Sequence, residues 1–211
     1  MAGLRIDPAG VPFVLGALAA AFLAGVALRW WLALPFLVLA GFFLFFFRDP
    51  ERQSSSDPNA VLSPADGRVL IAGSALPEAA PPGEWRQVSI FLSPMDVHVN
   101  RVPASGRVTR VTYTAGRFLP AYRHDAGAVN ERSEIWIDHD GQPIVARQVV
   151  GILARRVVCR VVTGATVRAG ERYGIMKFGS RMDVFVPVTA EVRVKVGDAV
   201  RGGETLIAVL H

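Results

Sequence analysis

The chain has 211 residues, 51% of them hydrophobic and 19% charged, with a formal net charge of +5. That length holds one domain of about 160 residues plus an additional segment. A single cysteine, Cys159, excludes an intramolecular disulfide framework and any multi-cysteine metal site. Neither a metal nor a nucleic-acid partner is expected.

The apolar excess is concentrated between residues 11 and 47, where Arg29 is the only charged residue. It divides into VPFVLGALAAAFLAGVAL (11–28) and LALPFLVLAGFFLFFF (32–47), separated by RWW. At a helical rise of ~1.5 Å per residue these runs give helices of about 27 Å and 24 Å, adequate for a thin or locally compressed bilayer. A cleaved signal peptide would give way to polar sequence after the first run, whereas here a second apolar run follows at once. Trp30 and Trp31 suit a membrane–water interface, and Arg29 can reach the head groups from there. Gly16, Ala20 and Ala24 recur at four-residue spacing, which lets two helices approach closely. Residues 1–50 therefore read as a transmembrane helical hairpin that anchors the chain. Arg5, Arg48 and Arg52 flank its two ends against Arg29 at its tip, which puts the rest of the chain on the cytoplasmic side of the inner membrane.

ERQSSSDPNA (51–60) is polar and rich in turn formers, so it reads as a linker. Strand signals dominate residues 61–211. RQVSIFL puts Val88, Ile90 and Leu92 on one face, and SEIWIDHDG alternates before an Asp-Gly turn. EVRVKVGDAVRGG places Val192, Val194 and Val196 inward, with Arg193 and Lys195 outward. RVVCRVV makes Cys159 a buried strand thiol, and residues 117–129 read as an irregular loop over a site. GDAVRGGETLIAVL and SPADGRVLIAG resemble the hairpins of lipoyl- and biotinyl-type domains. The fold class implied is mainly β: a barrel-sandwich-like domain behind the helical hairpin. Lys177 does not sit in a recognisable cofactor-attachment motif, so this likeness concerns architecture rather than function.

Four stretches carry candidate chemistry. SPADG (63–67) is a turn whose Asp66 can cap it or act. FLSPMDVHVNRVP (91–103) sets His98, the side chain whose pKa suits proton transfer near neutrality, among Asp96, Asn100 and Arg101. VNERSEIW (129–136) brings Asn130, Glu131 and Arg132 together, either as a solvated turn or as substrate-binding groups. The fourth is the Gly179-Ser180 pair within GIMKFGSRMDVFVP (174–187). Asp, His and Ser together allow a hydrolase triad, but KFGSRMD is not a G-x-S-x-G elbow. A hydroxyl directly after glycine can instead attack the carbonyl of its own preceding peptide bond, which glycine leaves unhindered. The resulting ester can eliminate, cutting the chain and leaving dehydroalanine, which hydrolyses to a pyruvoyl group and ammonia.

With its two apolar runs ending in FFRDPER, then SPADG, SPMDVHVNRVP, NER and a C-terminal FGS in that order, the chain resembles the short-form phosphatidylserine decarboxylase proenzymes. That resemblance implies self-cleavage between Gly179 and Ser180 into a β chain (1–179) and an α chain (180–211). Ser180 would be nucleophile and precursor of a covalent pyruvoyl cofactor, with Asp66 and His98 assisting. It further implies phosphatidylserine in the membrane as substrate, phosphatidylethanolamine as product, and a heterodimer of the two chains that can assemble further. Arg101, Asn130, Glu131 and Arg132 would be candidates for binding substrate. Phe178 and Arg181 depart from the family's usual LGST, and Arg101 stands where the longer bacterial form has a second histidine. Diacyl and ether-linked seryl lipids both stay open. The competing classes are a membrane-anchored lipoyl-like adaptor and a serine hydrolase, neither of which cuts its own chain.

Overall fold

The computed structural model of the chain describes residues 5–152, 157–177 and 179–211, so Phe178 lies outside the described residues. It divides into two compact units, Met1–Glu51 and Arg52–His211.

In the first unit, α1 (Val11–Ala27) and α2 (Leu34–Phe46) pack against each other. Both begin with a proline in the first turn, where its missing N–H costs nothing. A 3-10 turn precedes α1, and Asp7 caps it by accepting from the Ala9 N–H at 2.9 Å. The ends of the pair are tied where Asp7 N–H donates to Phe47 O and Asp49 N–H to Arg5 O, both at 2.8 Å. Phe13 meets Phe43 edge to face at 5.4 Å between ring centroids and stacks on Phe47 at 5.3 Å. The buried stripe of α1 is Val14, Ala17, Ala21 and Ala24, while Gly16 is exposed. The expected small-residue face is thus displaced. Spacings of three and four keep a stripe on one side of a helix, whereas a strict four drifts around it. Pro8–Ala27, of 20 residues and mean hydropathy 2.1, is long and apolar enough to cross a membrane, whereas Trp30–Phe46 is shorter.

The second unit is mainly β. Its strands are β1 (Ala60–Leu62), β2 (Gly67–Ser74), β3 (Trp85–Leu92), β4 (Val99–Arg101), β5 (Gly106–Thr114), β6 (Arg132–His139), β7 (Gln142–Val150), β8 (Val157–Cys159), β9 (Thr166–Val167), β10 (Arg172–Met176), β11 (Ser180–Pro187), β12 (Glu191–Val192), β13 (Ala199–Val200) and β14 (Leu206–Val209). One four-residue helix, α3 (Ala126–Val129), is described among them. Eight strands form a curled half-barrel sheet in the order β13–β2–β3–β11–β7–β6–β5–β9. The sheets β1–β14–β12 and β4–β10–β8 accompany it.

Alternation sorts the residues as the pleat requires. Val88, Ile90 and Leu92 of β3 join Met182 and Val184 of β11, Ala146 of β7 and Ile135 of β6 in one core. The Asp-Gly turn after β6 has φ of 49° at Asp140 and 87° at Gly141. Positive φ at both positions matches the strand twist of a tight hairpin. Two expectations change. Val192 and Val194 pack on the core but Val196 is exposed, because the strand ends at Val192. Residues 197–210 are no hairpin ladder, since β13 pairs with β2 whereas β14 pairs with β1 and β12.

A polar clamp fastens the C-terminal segment to the start of this unit. Arg52 donates to Asp66 Oδ2 at 2.8 Å and to Glu204 Oε2 at 3.1 Å, while Asp66 Oδ1 accepts from the Gly202 N–H at 2.8 Å. Burial pulls the Glu204 carboxyl upward, but the bond and charge of Arg52, with Gln53 and Arg201, outweigh it and leave it below the usual carboxylate range. A depressed carboxyl stabilises the fold above its ordinary pKa and loses that contribution as pH falls through the depressed value. Glu204→Gln should therefore melt below the parent chain at pH 7 and converge with it in strong acid. Equal melting temperatures at pH 7 would exclude the clamp.

Candidate functional site

Gly179 and Ser180 stand where a left-handed turn enters the central strand. Gly179 has φ of +73°, a conformation that only glycine adopts without strain. Ser180 then opens β11, opposite Leu92 of β3 and Val150 of β7. Strand alternation sends Ser180, Met182 and Val184 to the core face and Arg181, Asp183 and Phe185 to the other. The Ser180 hydroxyl is fully buried and has no hydrogen-bond partner among the described residues. Gly151 follows Val150, and a Cβ there would collide with the Gly179 carbonyl oxygen. The bare glycine lets that carbonyl lie against the neighbouring strand.

His98 is fully buried just before β4. Its Nδ1 lies 2.9 Å from the Asp96 carbonyl oxygen, which can only accept, so Nδ1 carries the proton. Nε2 is then the bare nitrogen, and it accepts from the Gly179 N–H at 3.4 Å. A base held in a single tautomer thus reaches the peptide next to the serine. Asp96 caps the preceding turn by accepting from the Ser93 N–H at 2.7 Å. Two residues on, along the same extended segment, Asn100 Oδ1 accepts from Gln148 Nε2 at 2.8 Å. Asn100 Nδ2 and Gln148 Oε1 are buried without partners among the described residues. Gly174 faces this pair, since a Cβ on it would lie 2.8 Å from Gln148 Nε2.

Of the other expected residues, Asp66, Arg101, Asn130 and Arg132 each make a hydrogen bond that ties one segment of the unit to another. Asp66 binds Arg52 and Gly202 in the clamp, and its described contacts do not include His98 or Ser180. Arg101 is buried, with Nη1 donating to Gly170 O at 2.9 Å. Asn130 Nδ2 donates to Leu119 O and Val150 O, each at 2.8 Å, and Oδ1 accepts from the Leu119 N–H at 3.1 Å. It pins the loop after β5 to the end of β7, beside Ser180. Glu131 is buried next to it, and Arg132 donates to Ala128 O at 2.8 Å. Burial and the Arg147 charge lower the Arg132 pKa, opposed by Glu134. Cys159 is half-buried, and burial pushes its thiol pKa up.

Sequence reasoning missed Gly151, Gln148 and the Arg181–Asp183 pair. Arg181 is fully buried: Nε donates to Asp183 Oδ1 at 2.6 Å, Nη2 to Ser89 Oγ at 3.1 Å and Nη1 to Arg123 O at 3.1 Å. It holds the same loop from the outer face of the sheet. Between loop and sheet opens a cavity of about 370 Å³, walled by Phe91, Pro94, Pro120, Tyr122 and Ile152 and floored by Gly151 and Gly179. The Phe91 and Tyr122 rings meet edge to face at 6.0 Å. A larger groove of about 490 Å³ beside Ser105, His139 and Arg168 includes none of the candidate residues. No cluster of three or more metal-ligating side chains occurs among the described residues.

A buried serine–histidine site inside a β half-barrel, at a glycine turn under an apolar cavity, is the arrangement these residues define. Residues 39–208 match the family model for phosphatidylserine decarboxylase. A phosphatidylserine decarboxylase proenzyme of Gluconacetobacter diazotrophicus is 44% identical, the match covering 98% of this chain and 95% of that one. Proenzymes of the same name from Chlorobium chlorochromatii and Nitrosomonas europaea are 44% and 40% identical over 89% and 96% of this chain, and over 88% and 94% of their own. The chain belongs to the phosphatidylserine decarboxylase family.

Gly151→Ala forces the Gly179 carbonyl away from its neighbour strand. Chemical denaturation should read a loss of about 2–3 kcal/mol, the scale of overpacking a tight site. A stability within about 0.5 kcal/mol of the parent would mean that the turn is not fixed there.

Proposed function

We propose that the protein is a phosphatidylserine decarboxylase made as a proenzyme, which cuts itself between Gly179 and Ser180 and turns Ser180 into a pyruvoyl group. The observation that carries this reading is the buried Ser180 hydroxyl, without a hydrogen-bond partner among the described residues, directly after a glycine in a left-handed turn, with His98 Nε2 one peptide away. A hydrolase serine must meet an incoming substrate, whereas this hydroxyl is sealed against its own backbone.

The chemistry assigns each group one task. His98 Nε2 takes the Ser180 Oγ proton as Oγ adds to the Gly179 carbonyl carbon, and the Ser180 nitrogen leaves with a proton. The amide becomes an ester. Loss of the Ser180 Cα proton then expels the Gly179 carboxylate and leaves a dehydroalanine. Water replaces its nitrogen, which departs as ammonia. The pyruvoyl group supplies an electron sink for loss of CO₂ from a seryl head group, as a bound cofactor does in other decarboxylases. Its ketone oxygen would replace the Ser180 nitrogen at the start of β11, and a methyl group would stand where the Ser180 Cβ was. His98 would return a proton to the substrate carbon. Asp66, Arg101, Asn130, Glu131 and Arg132 contribute by position: their contacts fit holding clamp and loop better than holding lipid.

The cut would leave a β chain, 1–179, and an α chain, 180–211. The α chain supplies β11 to the middle of the large sheet and β14 to the middle of a second, and the Arg52–Glu204 pair spans the two chains. Those ladders support a heterodimer that survives cleavage. Both helices of the first unit are apolar on all sides and expose Leu15, Phe22, Leu23, Val26, Leu37 and Val38, which supports a membrane-anchoring hairpin. The basic residues at its ends favour a cytoplasmic position for the second unit, at the inner membrane.

Mass spectrometry tests the reading. Wild-type material should contain a fragment starting at position 180 with a blocked, ketone-bearing N-terminus, and Ser180→Ala should remain whole at 22.8 kDa and inactive. His98→Ala should slow cleavage by at least about 100-fold, the scale of a lost general base. Folded wild-type protein containing only uncut chain would end the proposal.

A further inference from the structure

We propose that the second unit meets the bilayer through a surface of its own, the apolar rim around the cavity at Gly179, so that a phospholipid enters the cavity acyl-side outward without leaving the membrane. This deepens the lipid-decarboxylase reading and rests on it. Of the nine described large apolar residues exposed outside the helical unit, four line this opening or stand within two residues of its lining: Met95 (59%), Phe118 (41%), Tyr122 (62%) and Ile152 (57%). Two of them, Tyr122 and Ile152, line the cavity together with Pro94 and Pro120, while Met95 and Phe118 sit on the chain just outside it. A soluble domain scatters such side chains singly, and clustering at the mouth of an apolar cavity marks an interaction surface.

Charge selects the occupant. Arg117, Arg123 and His124 are exposed on the loop that carries Phe118 and Tyr122, and Asp125 is the acidic group facing them. Arg123 donates to Asp125 at 2.9 Å from both Nε and Nη2. An apolar rim edged with cations fits a membrane surface containing anionic phospholipid, whose head groups meet the cations as its hydrocarbon meets the rim. The loop is braced from beneath by Asn130 and Arg181, so the rim is presented on a fixed support.

The test uses the full-length cleaved protein, with its helical unit present. Met95→Glu and Phe118→Glu lie outside the cavity wall. Each should raise KM for long-chain phosphatidylserine in phosphatidylcholine vesicles by about tenfold, the scale expected for losing an interfacial apolar contact. Turnover of water-soluble dihexanoyl phosphatidylserine and the extent of self-cleavage should not change. Equal losses on both substrates, or no loss on either, would overturn the docking surface. A second readout needs no turnover: the indole introduced by Phe118→Trp should lose emission in vesicles whose lipids are brominated near the head-group end of the acyl chains. If the emission of that indole is unquenched, docking is excluded even where the enzyme is active. A wild-type chain inactive on both substrates sinks the decarboxylase reading instead, leaving the quenching result to decide the surface.

Discussion

The structure depends on how the chain enters β11. Ser180 is clamped between two antiparallel neighbours, Leu92 and Val150, while the residue before it turns through a left-handed conformation. The neighbours fix the direction of the strand, so the pleat points the hydroxyl into the core. A buried hydroxyl without a partner costs about 1–3 kcal/mol. That cost is offset nearby: the packing of Met182, Val184 and Val186 just beyond it keeps the strand in register. A one-residue slip would relieve the serine and turn the whole apolar set outward. The misfit is therefore held in place by the rest of the strand, and strain over-determined by its surroundings is what a reactive site needs.

The two faces of the large sheet divide the work. The inner face is mostly apolar, interrupted by Ser180, Gln148 and its register partner Ser133, with Asn100 nearby. The outer face carries a charged row: Asp183 of β11 pairs in register with Arg147 of β7, which pairs with Glu134 of β6. Arg147 Nε binds Glu134 at 2.7 Å, and its Nη1 reaches the carbonyl oxygens of Ala79 and Gly127. Gly127 packs on this row so closely that an added Cβ would lie 3.0 Å from Asp183 Oδ2. Buried ion pairs seldom add much net stability, because desolvation offsets their attraction. Here they fix geometry, since each guanidinium binds backbone carbonyls of a segment that must lie over the sheet. The cavity beside Gly179 exists because Arg181 and Asn130 hold its roof from two sides.

Much of this was legible in the sequence, and what was missed has a physical cause. Apolar alternation in RQVSIFL and the Asp-Gly turn after SEIWIDHD are local signals, and both elements form as the pattern requires. Gly179-Ser180 and His98 stood out only in company with the other motifs, and the structure brings them within one peptide of each other. Gly151 was not, since a glycine after QVV reads as an ordinary strand end until the Gly179 carbonyl is seen lying against it. Gln148 follows Arg147 in a polar break of the run, and only its register with Met182 shows that it faces inward. Asp66 shows what a short polar motif leaves open: its oxygens accept from Arg52 and Gly202, partners 14 and 136 residues away along the chain. Long-range pairing decides such cases, and periodicity within a segment does not contain it.

The position of the Gly179–Ser180 bond explains how a backbone could be broken there without loss of the fold. The bond lies at the boundary between turn and ladder, so cutting it frees the turn and leaves all eight residues of β11 paired. Register with β3 runs from Ser180 to Pro187, and with β7 from Ser180 to Phe185. Past Pro187 the chain adds β13 to the edge beside β2 and β14 between β1 and β12. The C-terminal piece is thus interleaved with the larger one rather than appended to it. A break in the middle of β11 would separate two half-ladders, each too short to hold. A break one turn earlier would leave dangling residues in front of the serine. Only at this junction does the new terminus fall at once on a residue already fixed by two strands, and a reactive group formed there would inherit that placement.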